Sequence, residues 1–114
     1  MNQTLPSYIK TRRKHAHMSQ RELSFLMGMS TQGVIAQHES RVRLPKATSL
    51  FKYQALFDEP IGSLLPGARR QAEREVVRRA RVLAMRLERR GDRQAARKRA
   101  FLEALIGRLG PARV

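Results

Sequence analysis

The sequence predicts an all-α protein, with five short helices over residues 1–67 and a basic helical extension over 68–114. Three observations carry this. Apolar residues recur at three- and four-residue spacing, as one face of a helix requires, and no segment alternates as a half-buried strand would. Cap and stop signals (Ser19, Gly28, Pro45, Pro60, Gly91-Asp92) punctuate the chain at intervals suited to short helices. Hydrophobic residues make up 41% of the chain but aromatics only 5%, so the core is modest and built from Leu, Ile, Val, Met and Ala.

In order, residues 1–4 are expected to be loose, and Leu5-Pro6-Ser7 leads into a first helix, about Ser7 to His15. Pro6 sits near its first turn, where the missing N–H costs little. Tyr8 and Ile9 anchor this helix, and Lys10, Arg12, Arg13 and Lys14 make it basic. Ser19-Gln20-Arg21-Glu22 fits a capping box, with Met18 and Leu23 placed for a hydrophobic staple. Leu23, Leu26 and Met27 form one apolar stripe, closed by Gly28 where a left-handed residue is wanted. Ser30 and Thr31 offer caps for a third helix over 31–40, with Ile35 and His38 inward. Two short helices joined by a tight turn are the arrangement of a helix-turn-helix DNA reader, the second helix entering the groove.

Pro45 should open a fourth helix, about Lys46 to Phe57, with Leu50, Phe51 and Phe57 as core. Asp58-Glu59-Pro60 breaks it, and Ile61 to Leu65 forms a fifth helix ending at Pro66-Gly67. Beyond Ala68 the chain turns Arg- and Ala-rich. Val76, Ala80, Leu83 and Leu87 make an a/d seam two heptads long. Gly91-Asp92 is a stop and cap before a helix of about Arg93 to Gly107 presenting Phe101, Leu102, Leu105 and Ile106. A two-helix hairpin is favoured over a free coiled coil, with residues 107–114 disordered.

Charge and composition narrow the function. The formal net charge is +15, a bias towards polyanions. Residues 1–68 hold nine Lys/Arg against four Asp/Glu, and residues 69–114 fifteen against five, so the extension is the more basic part. The bland alternative is a solvated helix face. No cysteine is present, which excludes disulfides and thiolate chemistry. His15 and His17, two apart, do not share a helix face, and with His38 they gather no acidic cluster, so neither a metal nor a cofactor is expected. Ser24, Ser30 and the glutamates assemble no triad or carboxylate pair, and the reading is non-enzymatic. No apolar run approaches the roughly 20 residues that span a bilayer, and no signal-peptide pattern opens the chain, so a cytoplasmic, nucleoid-associated protein without membrane contact is expected.

These residues bring a family into view. M-S-Q-R-E-L-S-F-L-M-G followed by I-A-Q-H-E-S-R-V-R-L-P is similar to the pattern L-S-Q-x-E-L-A-x-x-L-G with I-S-x-x-E-x-G-x-x-x-P. Over about residues 5–67 the chain resembles the phage-repressor-like (Cro-like, XRE) helix-turn-helix regulators. Y-I-K-T-R-R-K and L-F-K-Y-Q-A-L-F-D-E-P-I-G-S-L-L resemble one bacterial subgroup whose members tend to carry a basic helical tail. Two departures stand out. Gly28 to Ile35 is seven residues, one longer than the family pattern, so the register of individual base contacts is open, and Ser40-Arg41 replaces a glycine.

The resemblance implies roles. Gln32, Gly33, Val34 and Gln37 would face bases, glutamine pairing with adenine and valine touching a thymine methyl. Gln20 would contact phosphate from a helix end, Thr31 would cap the reader or touch phosphate, and Arg41, Arg43 and Lys46 would grip phosphates. Arg13 and Glu39 would form an ion pair positioning the reader. Gln32 and Gln37 also fit solvated polar positions, and Gly33 fits either close approach to DNA or a frayed first turn. The expectation is a sequence-specific regulator, a repressor or autoregulator. It would bind double-stranded DNA as a homodimer on a pseudo-palindromic operator, its readers about 34 Å apart. The alternatives are the antitoxin of a toxin–antitoxin pair, or a non-specific nucleic-acid-binding protein relying on the tail. Residues 69–107 are a candidate surface for a protein partner.

Overall fold

The computed structural model describes residues 7–110, and among them every regular element is an α-helix. The chain divides into two compact units, Met1–Arg69 and Arg70–Val114. The expectations for residues 1–6 and 111–114 lie outside the described residues.

In the first unit, α1 (Ile9–His15) begins two residues later than Ser7, with Tyr8 at its cap position. The Tyr8 N–H donates to the Leu64 carbonyl (2.8 Å), tying the start of the helix to α5. α2 (Gln20–Leu26) opens on the capping box: Ser19 Oγ accepts from the Glu22 N–H (3.0 Å) and Glu22 Oε1 from the Ser19 N–H (2.9 Å). Gly28, at φ +74°, follows it in the left-handed region. Lys52 Nζ reaches across to the Met27 carbonyl (2.8 Å), occupying an acceptor that the helix end leaves open. Leu23 and Met27 are fully buried, but Leu26 is half exposed, against expectation. The buried face is turned towards Ser24, whose hydroxyl donates to the Thr31 carbonyl (2.9 Å) and packs the following turn against that side.

α3 (Gly33–Glu39) is shorter than expected. Neither Ser30 nor Thr31 caps it; both lie in the turn between α2 and α3, and Gln32 holds the cap position without a side-chain bond. α4 (Ala47–Phe57) buries Ser49 and Tyr53, with Leu50 and Phe57 half-buried. Phe51 is 62% exposed, correcting its assignment to the core, since it lies on the side of the helix opposite the Ser49–Tyr53 face. α5 (Ile61–Leu64) is one turn, and Pro66 starts α6 (Pro66–Glu88) rather than ending a helix, as a first-turn proline can. The core joins Ile9, Leu23, Met27, Ile35, Tyr53, Leu64 and Leu65. Each fully buried side chain of this size contributes about 1.5–3 kcal/mol of transfer free energy. Arg12 adds a bidentate pair with Glu59, holding the α1 surface to the α4–α5 turn.

The second unit is a hairpin of α6 and α7 (Arg93–Leu109). Asp92 caps α7, its Oδ1 accepting from the Ala95 N–H (3.1 Å). Bonding to Arg90, and then to that N–H, lowers the Asp92 pKa. The seam differs from Val76–Ala80–Leu83–Leu87: Val77, Ala80 and Leu87 are buried with Ala84 packed beside them, while Val76 and Leu83 are nearly half exposed. On α7, Ala95 and Leu102 are buried and Phe101 is 69% exposed. Small side chains at Ala84 and Ala95 fill this contact where larger ones were expected. Residues 107–109, expected to be disordered, continue α7, and the Gly110 N–H closes it on the Ile106 carbonyl (2.7 Å).

Candidate nucleic-acid interface

The geometry of α3 is set by a buried polar cluster beneath it. Arg13 Nε and Nη2 bond Glu39 Oε2 and Oε1 (2.6 and 3.0 Å). The third donor arm, Nη1, bonds the Met18 carbonyl (2.8 Å), so one guanidinium joins α1, the α1–α2 turn and α3. Bonding to Glu39 raises the Arg13 pKa and keeps the group charged, against the opposing effect of burial. Gln20 Nε2 adds a third donor to this carboxylate, at 3.0 Å from Oε1. Both members of the ion pair are buried, and removing one would strand the other charge, a loss of about 3–5 kcal/mol in such settings. The fork geometry makes this a positioning device: two parallel bonds fix α3 in rotation as well as in distance.

On the same side of α3, Ile35 is fully buried and His38 nearly so. His38 Nδ1 lies 2.8 Å from the Tyr53 hydroxyl, and their rings meet edge to face. Burial, and then the positive charge of Arg43, lowers the His38 pKa; burial raises that of Tyr53. Both therefore stay neutral near pH 7.

With that face fixed, the opposite one is presented outward. Gly33 and Gln37, one turn apart, are exposed, and Gln32 precedes them, also exposed. Val34 is half-buried at the edge of this face. Gln37 is not isolated: Arg43 Nη1 donates to its Oε1 at 2.9 Å. The loop after α3 folds back on the helix end, with the Val42 N–H donating to the Gln37 carbonyl (3.1 Å). Arg41, at φ +66°, takes the left-handed conformation that favours glycine, and Arg41, Arg43 and Lys46 are all exposed. Thr31 is exposed in the turn, its carbonyl engaged by Ser24.

Two features escaped sequence reasoning. Gln20, assigned to phosphate, spends one amide donor on Glu39; its place at the start of α2 was legible, its partner 19 residues away was not. Arg21, on the exposed side of α2, lines an open depression of about 480 Å³ with Phe25, Thr31 and Gln32. Its signal was a cation at the second position of α2, beside the turn. Among the described residues, no group of three His, Cys, Asp or Glu could hold a metal ion, and no helix is long and apolar enough to cross a membrane. Compared with protein-family models, curated proteins and solved structures, the chain matches none of them.

Proposed function

We propose that the chain is a sequence-specific DNA-binding transcriptional regulator of the phage-repressor-like type, without enzymatic activity. In this reading α2 and α3 are a helix-turn-helix, and α3 enters the major groove. The observation that carries it is the buried Arg13–Glu39 pair, joined by half-buried Gln20, which fixes α3 while leaving Gln32, Gly33 and Gln37 in solvent along its outer face. A helix in the major groove uses such residues on base edges. Arg41, Arg43 and Lys46, with Arg21 across the turn, supply cations for the flanking phosphates. Thr31 stands as a phosphate contact rather than a cap, and Val34 as a peripheral apolar contact. The protein would act in the cytoplasm as a dimer on two half-sites one helical turn apart.

The test is selection of genomic fragments by purified protein at about 150 mM salt, under excess non-specific DNA. Recovery of a short inverted repeat is the expected result, and its position names the regulated genes. Sequence-blind recovery would sink the reading and leave a non-specific nucleic-acid-binding protein. A recovered site upstream of its own gene, adjacent to a toxin gene, would instead favour the antitoxin role.

A further inference from the structure

The second unit carries a groove of its own that the α3 reading does not use. At 3.6 residues per turn, Arg70, Arg74, Arg78 and Arg81 fall within about 80° of arc on α6 and span about 17 Å of its length. Beside them an open groove of about 750 Å³ is lined by Arg74, Arg78 and Arg81, with Val77, Val82 and Leu109 as its apolar part. Glu75 also lines it, but that carboxylate is bonded to both Arg78 and Arg79. Bonding to these two arginines lowers the Glu75 pKa and keeps its charge committed to them. Arg70, Arg74 and Arg81 are exposed and have no carboxylate partner among the described residues. Concentrating guanidinium groups this way raises their mutual repulsion unless an anion sits among them.

We propose that this groove, with Arg70 just outside it on the same arc of α6, forms a second, sequence-blind DNA surface, on which Arg70, Arg74 and Arg81 take phosphodiester oxygens of a duplex. Charge complementarity selects the occupant. The residues from 69 onward carry fifteen Lys/Arg against five Asp/Glu, a surplus suited to a continuous polyanion, and fourteen of the fifteen are arginine. The guanidinium fork grips phosphate bidentately where an ammonium acts as a point charge. The surface is independent of whether α3 reads bases.

The test uses the full chain and a random-sequence duplex, so that it does not depend on any operator. One variant carries Arg70→Gln, Arg74→Gln and Arg81→Gln; a control of equal charge carries Arg93→Gln, Arg97→Gln and Lys98→Gln on α7. All six side chains are exposed, and helix content by circular dichroism checks that both variants fold. The slope of log K against log salt should flatten by about 2.7 in the groove variant, at roughly 0.9 for each lost phosphate contact, and by less than about 1 in the control. Equal flattening in both would reduce the effect to net charge and overturn the proposal. An unchanged slope in the groove variant would also overturn it, and would turn attention to an acidic protein surface as the occupant. Because the duplex is random, a loss here is separable from any failure of the fragment selection to recover an operator.

Discussion

Gln37 and Arg43 illustrate how a single bond changes the expected behaviour of a residue. On the resemblance alone, Arg43 would grip phosphate, and its loss would weaken binding to all sequences alike. The 2.9 Å bond from Arg43 to Gln37 Oε1 gives it a second task in the proposed complex, to orient the amide that would face the bases. Arg43→Ala should therefore relax specificity at the operator position read by Gln37, as Gln37→Ala should, each by about 1–3 kcal/mol. Binding of both variants to a panel with every base at each position checks this; a uniform loss for Arg43→Ala returns it to the phosphates. His38 makes a different prediction from the same helix. Its pKa lies below the ordinary 6.5 because burial, and then Arg43, disfavours the imidazolium; the Tyr53 hydroxyl is its hydrogen-bond partner. The unfolded chain therefore takes up the His38 proton first as pH falls. Stability from this group is intact above about pH 6.5 and declines below it, down to the folded pKa. Denaturant titrations between pH 7.5 and 5 should show the decline, and His38→Gln should flatten it.

At the scale of elements, the caps of α2 and α7 were legible, that of α3 was not, and the helix faces were less so, for a physical reason. Ser19 with Glu22, Asp92 with Ala95, and Gly28 are decided by neighbours within a turn, so sequence order contains the whole interaction. A helix face is decided by what packs on it. On α6, the expected seam at 76, 80, 83 and 87 and the observed one at 77, 80, 84 and 87 share Ala80 and Leu87. They differ by less than a third of a turn. The larger side chains favoured the first, whereas contact through small Ala84 and Ala95 selects the second. Phe51 and Tyr53 pose the same problem on α4, where the histidine that Tyr53 meets belongs to α3. Likewise Lys52, 25 residues from the Met27 carbonyl it bonds, carries no local signal. The observed seam gives a direct comparison. Leu87→Ala should cost about 2–5 kcal/mol in the free energy of unfolding the hairpin, because Leu87 is buried. Leu83→Ala should stay within about 0.5 kcal/mol, as for an ordinary surface position. Equal costs would show that the 76–83 edge of α6 is covered in solution.

For the whole molecule, with a formal charge of +15, the number of phosphates its cations neutralise would set how DNA binding responds to salt. If 6–10 phosphates are contacted, affinity for an operator should fall roughly 10³–10⁵-fold between 50 and 200 mM salt. A fluorescence-anisotropy titration across that range measures the slope, and a change below about tenfold would mean that phosphate contacts do not dominate. The same series on random duplex separates the two kinds of contact. Sequence-blind binding is almost wholly electrostatic, so salt should remove it nearly completely. In the proposed complex, hydrogen bonds from Gln32 and Gln37 to base edges would release no counterions, and their contribution would persist as salt rises. The ratio of operator to random-duplex affinity should therefore grow with salt when the random duplex is held by more phosphate contacts than the operator is. A groove on α6 that stays engaged in both complexes would steepen both slopes equally and leave that ratio untouched. Comparing the ratio in the wild type with that in the Arg70/Arg74/Arg81 variant thus tells whether the second surface adds affinity alone or competes with the reader for the orientation of the duplex.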